Sequence, residues 1–288
     1  MTSSPRDVAA LGPMLHRGSF DDLVAIVTGG GSGLGRAFAL ELARLGAAVT
    51  VAGRRAERLA GTVDLIEGLG GRGHAQPTDV RAADQVEALV TATVERFGRL
   101  DVLVNNAAGN FVARAEDLSP NGWRAVVAIV LDGTFLCSRT AGRQMIEQGE
   151  GGAILSVLAS YAWTGGPGTV HSAAAKAGVL ALTRTLAVEW APHRIRVNSI
   201  CPGPTDTEGA GAALWPTAES RERVERSVPV GRLATPEEVA WWGAALCSPY
   251  ADYITGANLT IDGGHWLERE SYLSASEHAE APGKEDAS

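Results

Sequence analysis

Three cysteines in 288 residues, Cys137, Cys201 and Cys247, lie too far apart for a metal-ligand spacing or a disulfide framework. A reducing compartment is therefore expected, with the three thiols serving as core filler. The six histidines, scattered from His16 to His278, never fall at the i, i+4 spacing of a helical zinc pair, so no metal site is expected. Basic residues are the minority, 25 against 33 acids, and at a formal charge of −8 they show none of the clustering that phosphate neutralisation requires, which excludes a nucleic-acid partner. No stretch reaches the ~20 apolar residues that span a bilayer. The first twenty residues, interrupted by Pro5, Asp7, Pro13 and His16, do not resemble a secretory signal. A cytoplasmic protein without membrane attachment is the expectation.

What the chain does have is apolar residues, 45 % of the total and enough for a substantial core. They fall in β-branched runs alternating with longer amphipathic segments, the pattern of a parallel sheet covered on both faces. Strands are expected at Leu23 to Thr28, Ala48 to Ala52, Gly73 to Pro77, Leu100 to Asn105, Ala153 to Val157, Arg196 to Ile200 and Asn258 to Ile261. Crossover helices are expected notably at Leu34 to Leu45, Ala83 to Phe97, Pro120 to Gln148 and Ser172 to Trp190. No Pro/Gly/Ser linker divides the chain. The fold class is thus α/β, a Rossmann-type doubly wound parallel sheet of about seven strands in a single domain over residues 20–266. A polar extension precedes it (1–19), and an acidic tail expected to be solvated follows it (267–288), with six acids against two bases from Glu268 to Asp286.

The strongest local signal is Thr28-Gly29-Gly30-Gly31-Ser32-Gly33-Leu34-Gly35, which follows a strand and opens a helix. Gly29, Gly33 and Gly35 permit a tight turn and close approach of backbone to a pyrophosphate, which then meets the free N–H groups of Ser32, Gly33 and Leu34 at the positive helix end. The second strand ends in Gly53-Arg54-Arg55 instead of a carboxylate for a ribose 2′-hydroxyl, so a 2′-phosphate and hence NADPH is expected; the plain alternative is two solvated arginines at a helix start. Asp79-Val80 ends the third strand, where a carboxylate can accept from an adenine amino group.

These residues resemble the short-chain dehydrogenase/reductase family from about Asp22 to Gly264. The resemblance rests on the spaced glycines, on Asn105-Asn106-Ala107-Ala108-Gly109 after the fourth strand, on Lys176, on Pro202-Gly203 and on Asp262-Gly263-Gly264. It implies a homo-oligomer, commonly a tetramer, cofactor contacts from Asn106, Ala107, Ala108, Gly109, Lys176, Pro202 and Gly203, and a mobile lid over about 204–228. The typical member carries Tyr-x-x-x-Lys, with a serine thirteen residues before the tyrosine. Here Ser172 occupies the tyrosine position and Ala159 the serine position, so the usual acid/base for alcohol and ketone interconversion is missing.

A narrower resemblance accounts for the change. Asn105 to Phe111, Tyr161 to Gly165 and Ser172 to Gly178 are similar to the flavin-free, NADPH-dependent 2,4-dienoyl-CoA reductases. In that group a tyrosine fifteen residues before the lysine and an asparagine after the Asn-Asn-Ala-Ala-Gly run hold the thioester carbonyl; Tyr161 and Asn110 stand at those positions. The resemblance implies hydride addition at C5, a dienolate stabilised by Tyr161 and Asn110, Lys176 on the nicotinamide ribose, and Ser172 supporting the substrate or Tyr161, with a 3-enoyl-CoA as product. Taken as residues alone, each has a plain alternative: Tyr161 a loop aromatic packed on Trp163, Asn110 a turn former, and Ser172 a helix N-cap. Two competing functions share the cofactor residues: a reductase of 2-enoyl-CoA or 3-oxoacyl thioesters, and a non-catalytic NADPH-binding protein.

Overall fold

The computed structural model describes residues 15–267. The chain alternates strand and helix throughout: β1 (Val24–Thr28), α1 (Gly33–Arg44), β2 (Ala48–Gly53), α2 (Ala56–Gly68), β3 (Arg72–Pro77), α3 (Ala83–Phe97), β4 (Val102–Asn105), α4 (Pro120–Val127), α5 (Gly133–Gln148), β5 (Gly152–Val157), α6 (Tyr161–Thr164), α7 (Val170–Glu189), β6 (Ile195–Pro202), α8 (Glu208–Leu214), α9 (Ala218–Arg226), α10 (Pro236–Cys247) and β7 (Asn258–Ile261). The strands form one parallel sheet in the order β3-β2-β1-β4-β5-β6-β7. The order reverses between β1 and β4, the switch point at which open α/β sheets bind their ligands.

Strand side chains alternate between two cores. Ala25 and Val27 of β1 join Val49, Val51, Val102, Val104 and Leu155 beneath α1, α2 and α10. Ile26, Leu103, Ile154 and Val197 face α3, α5 and α7, with Leu89, Cys137 and Met145 closing that side. All three cysteines are buried free thiols.

Every expected strand is present with its ends displaced by at most two residues. The helical run 120–148 is present but not uniform: a π turn at Ala128–Asp132 separates α4 from α5. By length and composition this run is long and apolar enough to cross a bilayer, contrary to the sequence expectation, and 44 % of its most apolar stretch is buried within the fold. It packs on α3, α7 and the sheet. Helix α7 begins at Val170 with Thr169 as N-cap, so Ser172 lies inside the first turn and is not the cap. Gly165, Gly166 and Gly168 end the preceding loop and let the helix start two residues earlier than expected. Most of the polar extension and nearly all of the tail lie outside the described residues. The part of the extension that is described is tied down, with the N–H groups of Gly18 and Phe20 donating to the Leu45 carbonyl at 3.1 and 3.0 Å.

Candidate active site

A groove of about 360 Å3 runs along the carboxyl ends of β1, β2, β3 and β4. Its floor is the glycine turn. Gly29 adopts φ +66°, and a Cβ at Gly35 would lie 2.2 Å from the Gly29 carbonyl oxygen, so α1 can start this close to β1 only with glycine at 35. Asn106 locks the turn from the neighbouring strand. Its side-chain amide donates to the Thr28 carbonyl at 2.9 Å, while its backbone N–H and that of Ala107 both donate to Thr28 Oγ1 at 3.0 Å.

The groove gathers Gly29, Ser32, Gly33, Leu34, Arg54, Arg55, Asp79, Val80, Asn106, Ala107 and Ala108, all expected from the sequence. Gly35, Gly109, Lys176, Pro202 and Gly203 do not line it: Gly35 is a packing contact, Gly109 lies beyond the end of β4, Lys176 is on α7 against the end of β5, and Pro202 and Gly203 stand at the end of β6. Gly31, Gly53, Leu59, Thr78 and Gly209 also line the groove without having been predicted, as do three residues with side chains suited to a ligand. Ile129 reaches the groove from the π turn, Thr207 from the segment after β6, and Arg58 from the first turn of α2. Arg58 stands four residues after Arg54, one helical turn on, and that spacing was the available signal. Among the described residues none of Arg54, Arg55 and Arg58 forms an ion pair. Asp79 is engaged by Arg81 at 2.5 Å, and that hydrogen bond holds its carboxyl below the usual carboxylate range.

The second half of the site lies over β5 and β6. The Tyr161 hydroxyl is 3.0 Å from Ser172 Oγ, and the Asn110 amide donates to the same phenol oxygen at 3.5 Å. Asn110 also accepts from the Phe111 N–H at 2.9 Å through its side-chain carbonyl. That bond leaves its NH2 group facing Tyr161, and residues 106–114 form no turn, so the turn-former reading of Asn110 is not borne out. Burial pushes the Tyr161 phenol upward, against the downward pull of Ser172 and Asn110, so it stays protonated. Trp163 is not its stacking partner; Trp163 meets Trp266 edge-on at 5.9 Å.

Lys176 stands one helical turn beyond Ser172 and is 7 % exposed. Its ammonium donates to the Val157 carbonyl at the end of β5. Burial pulls its pKa down from 10.5 to about 8. The neighbouring Cys201 thiol is pushed up to about 12 by burial and carries no charge that would compensate. The arrangement supplies a buried cation next to a cluster of neutral hydrogen-bond donors, which suits an electron-rich oxygen arriving between them.

An arch reaches over the groove. It is pinched at its base by the Thr205–Ala234 bridge and carries α8 and α9, with Arg221 of α9 holding Asp206 at 2.7 and 2.9 Å. Thr207 lies within 3.4 Å of where a Gly33 Cβ would stand, which brings the arch over the glycine turn. The arch thus extends past residue 228, because residues 229–233 complete its second arm.

Comparison with known proteins identifies the family. The family profile described as Enoyl-(Acyl carrier protein) reductase matches residues 29–265. A Bacillus subtilis (strain 168) protein named as a probable (2E)-enoyl-CoA-producing 2,4-dienoyl-CoA reductase is 50 % identical over 243 residues, covering 84 % of this chain and 96 % of its own. The peroxisomal 2,4-dienoyl-CoA reductase of Pongo abelii, named as (3E)-enoyl-CoA-producing, is 41 % identical over 249 residues, covering 85 % of this chain and 84 % of its own. A crystal structure of a Bacillus anthracis short chain dehydrogenase superposes with a TM-score of 0.80 at 47 % identity, covering 87 % of this chain and 99 % of that one.

Proposed function

From the premise that the chain belongs to the short-chain dehydrogenase/reductase family, and is therefore a nicotinamide-dependent oxidoreductase, we propose that it reduces 2,4-dienoyl-CoA thioesters with NADPH. The observation that carries this reading is the convergence of Tyr161, Ser172 and Asn110 at a family position where Ser172 has replaced the usual phenol. That cluster has donors for an oxygen but no phenol beside Lys176 to exchange a proton with an alcohol, so it favours conjugate reduction over carbonyl reduction.

A reduced nicotinamide held in the groove would supply the hydride that enters the diene at C5. Electron density then moves through the π system to the thioester oxygen, where the Tyr161 hydroxyl and Asn110 amide donate more strongly to the developing charge than to the neutral carbonyl. Ser172 orients the phenol. Lys176 would hold the nicotinamide ribose hydroxyls and keep the local potential positive. The dienolate carries charge at C2 and at C4. The donor cluster gathers at the thioester end, next to C2, which favours protonation there and a 3-enoyl product. A second outcome, protonation at C4 to give the 2-enoyl isomer, has its support in the name of the Bacillus subtilis relative. Turnover in D2O followed by NMR of the product is expected to place deuterium at C2; label at C4 would reverse the assignment.

The choice of NADPH rests on Arg54, Arg55 and Arg58. Arg55 is the N-cap of α2 and Arg58 lies in its first turn, where the helix dipole disfavours cations. Three unpaired guanidiniums there make sense if an anion sits among them. Arg54→Ala is expected to weaken NADPH by roughly 10- to 100-fold, the worth of a charge-assisted hydrogen bond, while NADH binding stays the same. Fluorescence titration with both cofactors checks this, and an unchanged preference rejects the phosphate site. A homotetramer is part of the same reading, supported by apolar side chains in solvent such as Phe135, Val188 and Tyr253.

The deciding assay compares NADPH oxidation with 2,4-dienoyl-CoA, 2-enoyl-CoA and acetoacetyl-CoA. The diene is expected to be reduced fastest; a faster rate on acetoacetyl-CoA overturns the substrate assignment.

A further inference from the structure

Tyr161 stands on little local structure of its own. Helix α6 has four residues, and its N-cap Ser160 makes no side-chain cap bond. It is followed by Gly165, Gly166 and Gly168, of which Gly165 and Gly168 have φ of +70° and +79°. A single isolated turn is not stable by itself, so the place of the phenol is set by what α6 packs on. One side of that packing is the cluster of Leu158, Leu180 and Cys201 beneath Trp163. The other is Trp266, whose ring meets Trp163 at 5.9 Å and 86°.

Trp266 is itself held with care. The Asp262 carboxylate, 8 % exposed, accepts from the Gly264 N–H at 3.0 Å and from the Trp266 N–H at 2.8 Å. The His265 N–H donates to the Asp262 carbonyl at 3.1 Å. A buried carboxylate therefore closes the turn and fixes the backbone from which Trp266 projects.

The same turn touches both roots of the arch. At the first root, a Cβ on Gly203 would lie 2.6 Å from Asp262 Cα, and the Gly203 N–H donates to the Ile261 carbonyl at 2.8 Å. At the second, the Val230 N–H donates to the Gly263 carbonyl at 3.2 Å, and a Cβ on Gly263 would lie 2.8 Å from Val228. Asp262-Gly263-Gly264 thus meets the arch at both ends, and through Trp266 it meets the turn that carries Tyr161.

We infer that Trp266 is a positioning residue: the turn Asp262–Trp266 clamps both roots of the arch and, through the edge contact of Trp266 on Trp163, holds the Tyr161 hydroxyl in place. The inference rests on the proposed role of Tyr161 and adds to it the part that sets the hydroxyl's position. It also gives the Asp-Gly-Gly motif a task that the cofactor groove does not.

The test uses the full chain with Trp266→Ala, Trp266→Phe, Tyr161→Phe and the Trp266→Ala/Tyr161→Phe pair. It measures steady-state kinetics on a 2,4-dienoyl-CoA, NADPH affinity, and hydrogen exchange at the amides of Ala162 to Gly165, which make the backbone bonds of α6. Trp266→Ala is expected to lower kcat by roughly tenfold or more, as small misplacements of a positioned group do. NADPH affinity should stay within about twofold, and Trp266→Phe should restore the rate, since a ring edge remains available. In the Tyr161→Phe background the alanine substitution should cost nothing further. Exchange at 162–165 should quicken in Trp266→Ala and not in Trp266→Phe. An equal loss of rate in both backgrounds overturns the proposal, as does unchanged exchange at 162–165. If instead Tyr161→Phe retains full activity, the oxyanion role fails, while the exchange result still decides whether Trp266 braces the turn.

Discussion

Tyr161→Phe is expected to lower kcat on a 2,4-dienoyl-CoA by about 10²- to 10³-fold, the loss that follows removal of one donor to an oxyanion, or roughly 3 to 4 kcal/mol of barrier. The substitution deletes one oxygen and keeps the ring, so the packing of α6 is conserved and the loss belongs to the hydroxyl. Burial keeps the phenol protonated, so a proton is available to donate to the thioester oxygen throughout the neutral range. Ser172 at 3.0 Å is too short a side chain to take over at the same point, and it has lost its own partner in the variant. Because the donor acts most strongly on charge that develops during the reaction, KM and NADPH affinity should hardly move while kcat falls. Stopped-flow single-turnover rates separate the chemical step from product release. A rate within a factor of about three of the parent would show that the thioester oxygen is stabilised elsewhere and would remove the reason for assigning a diene substrate.

The parallel sheet was legible in the sequence because strands buried on both faces are written as continuous apolar runs; Val24 to Thr28 is buried at every position. Edge strand β3 was equally visible despite its mixed burial, since its flanks and spacing marked it. The glycine turn was legible because φ +66° at Gly29 and the contact behind Gly35 admit little else. What escaped are features that depend on distant packing. Asn106 lines the groove as its motif implies, but that its amide also ties down Thr28 of β1, 78 residues earlier, was not readable. Arg58 reads as an exposed helix residue until α2 is placed with its first turn at the groove. For Asn110 the turn alternative stood open because Asn is a common turn residue, and only the packed structure shows its carbonyl on the Phe111 N–H and its amide at Tyr161, with no turn formed. For Ser172, the sequence left the N-cap open because no local rule says that the cap will fall three residues earlier, at Thr169.

Lys176 carries the other large expected effect, and it differs in kind. Lys176→Ala should weaken NADPH by roughly 10- to 100-fold, the worth of charge-assisted bonds to ribose hydroxyls, and should lower kcat as well, since the positive potential beside the oxyanion goes with it. Tyr161→Phe changes rate alone; equal effects on rate and affinity from the two substitutions would dissolve the division of roles. The pH dependence follows from burial. With a pKa of about 8 against 10.5 for the free side chain, Lys176 is cationic below that pH and neutral above it. The groups that face it do not interfere, because the Cys201 thiol titrates near 12 and the Tyr161 phenol is displaced upward. The ratio kcat/KM for NADPH, which reports the free enzyme, is therefore expected to fall with a single-proton slope above about pH 8, and the fall should vanish in Lys176→Ala. The chain permits a direct check, since Lys176 and Lys284 are its only lysines. In a protein labelled with 15N at the lysine side chains, an amine titrating near 8 is expected, assigned to Lys176 by its loss in Lys176→Ala. Absence of any amine titrating near 8 would remove Lys176 from the buried site.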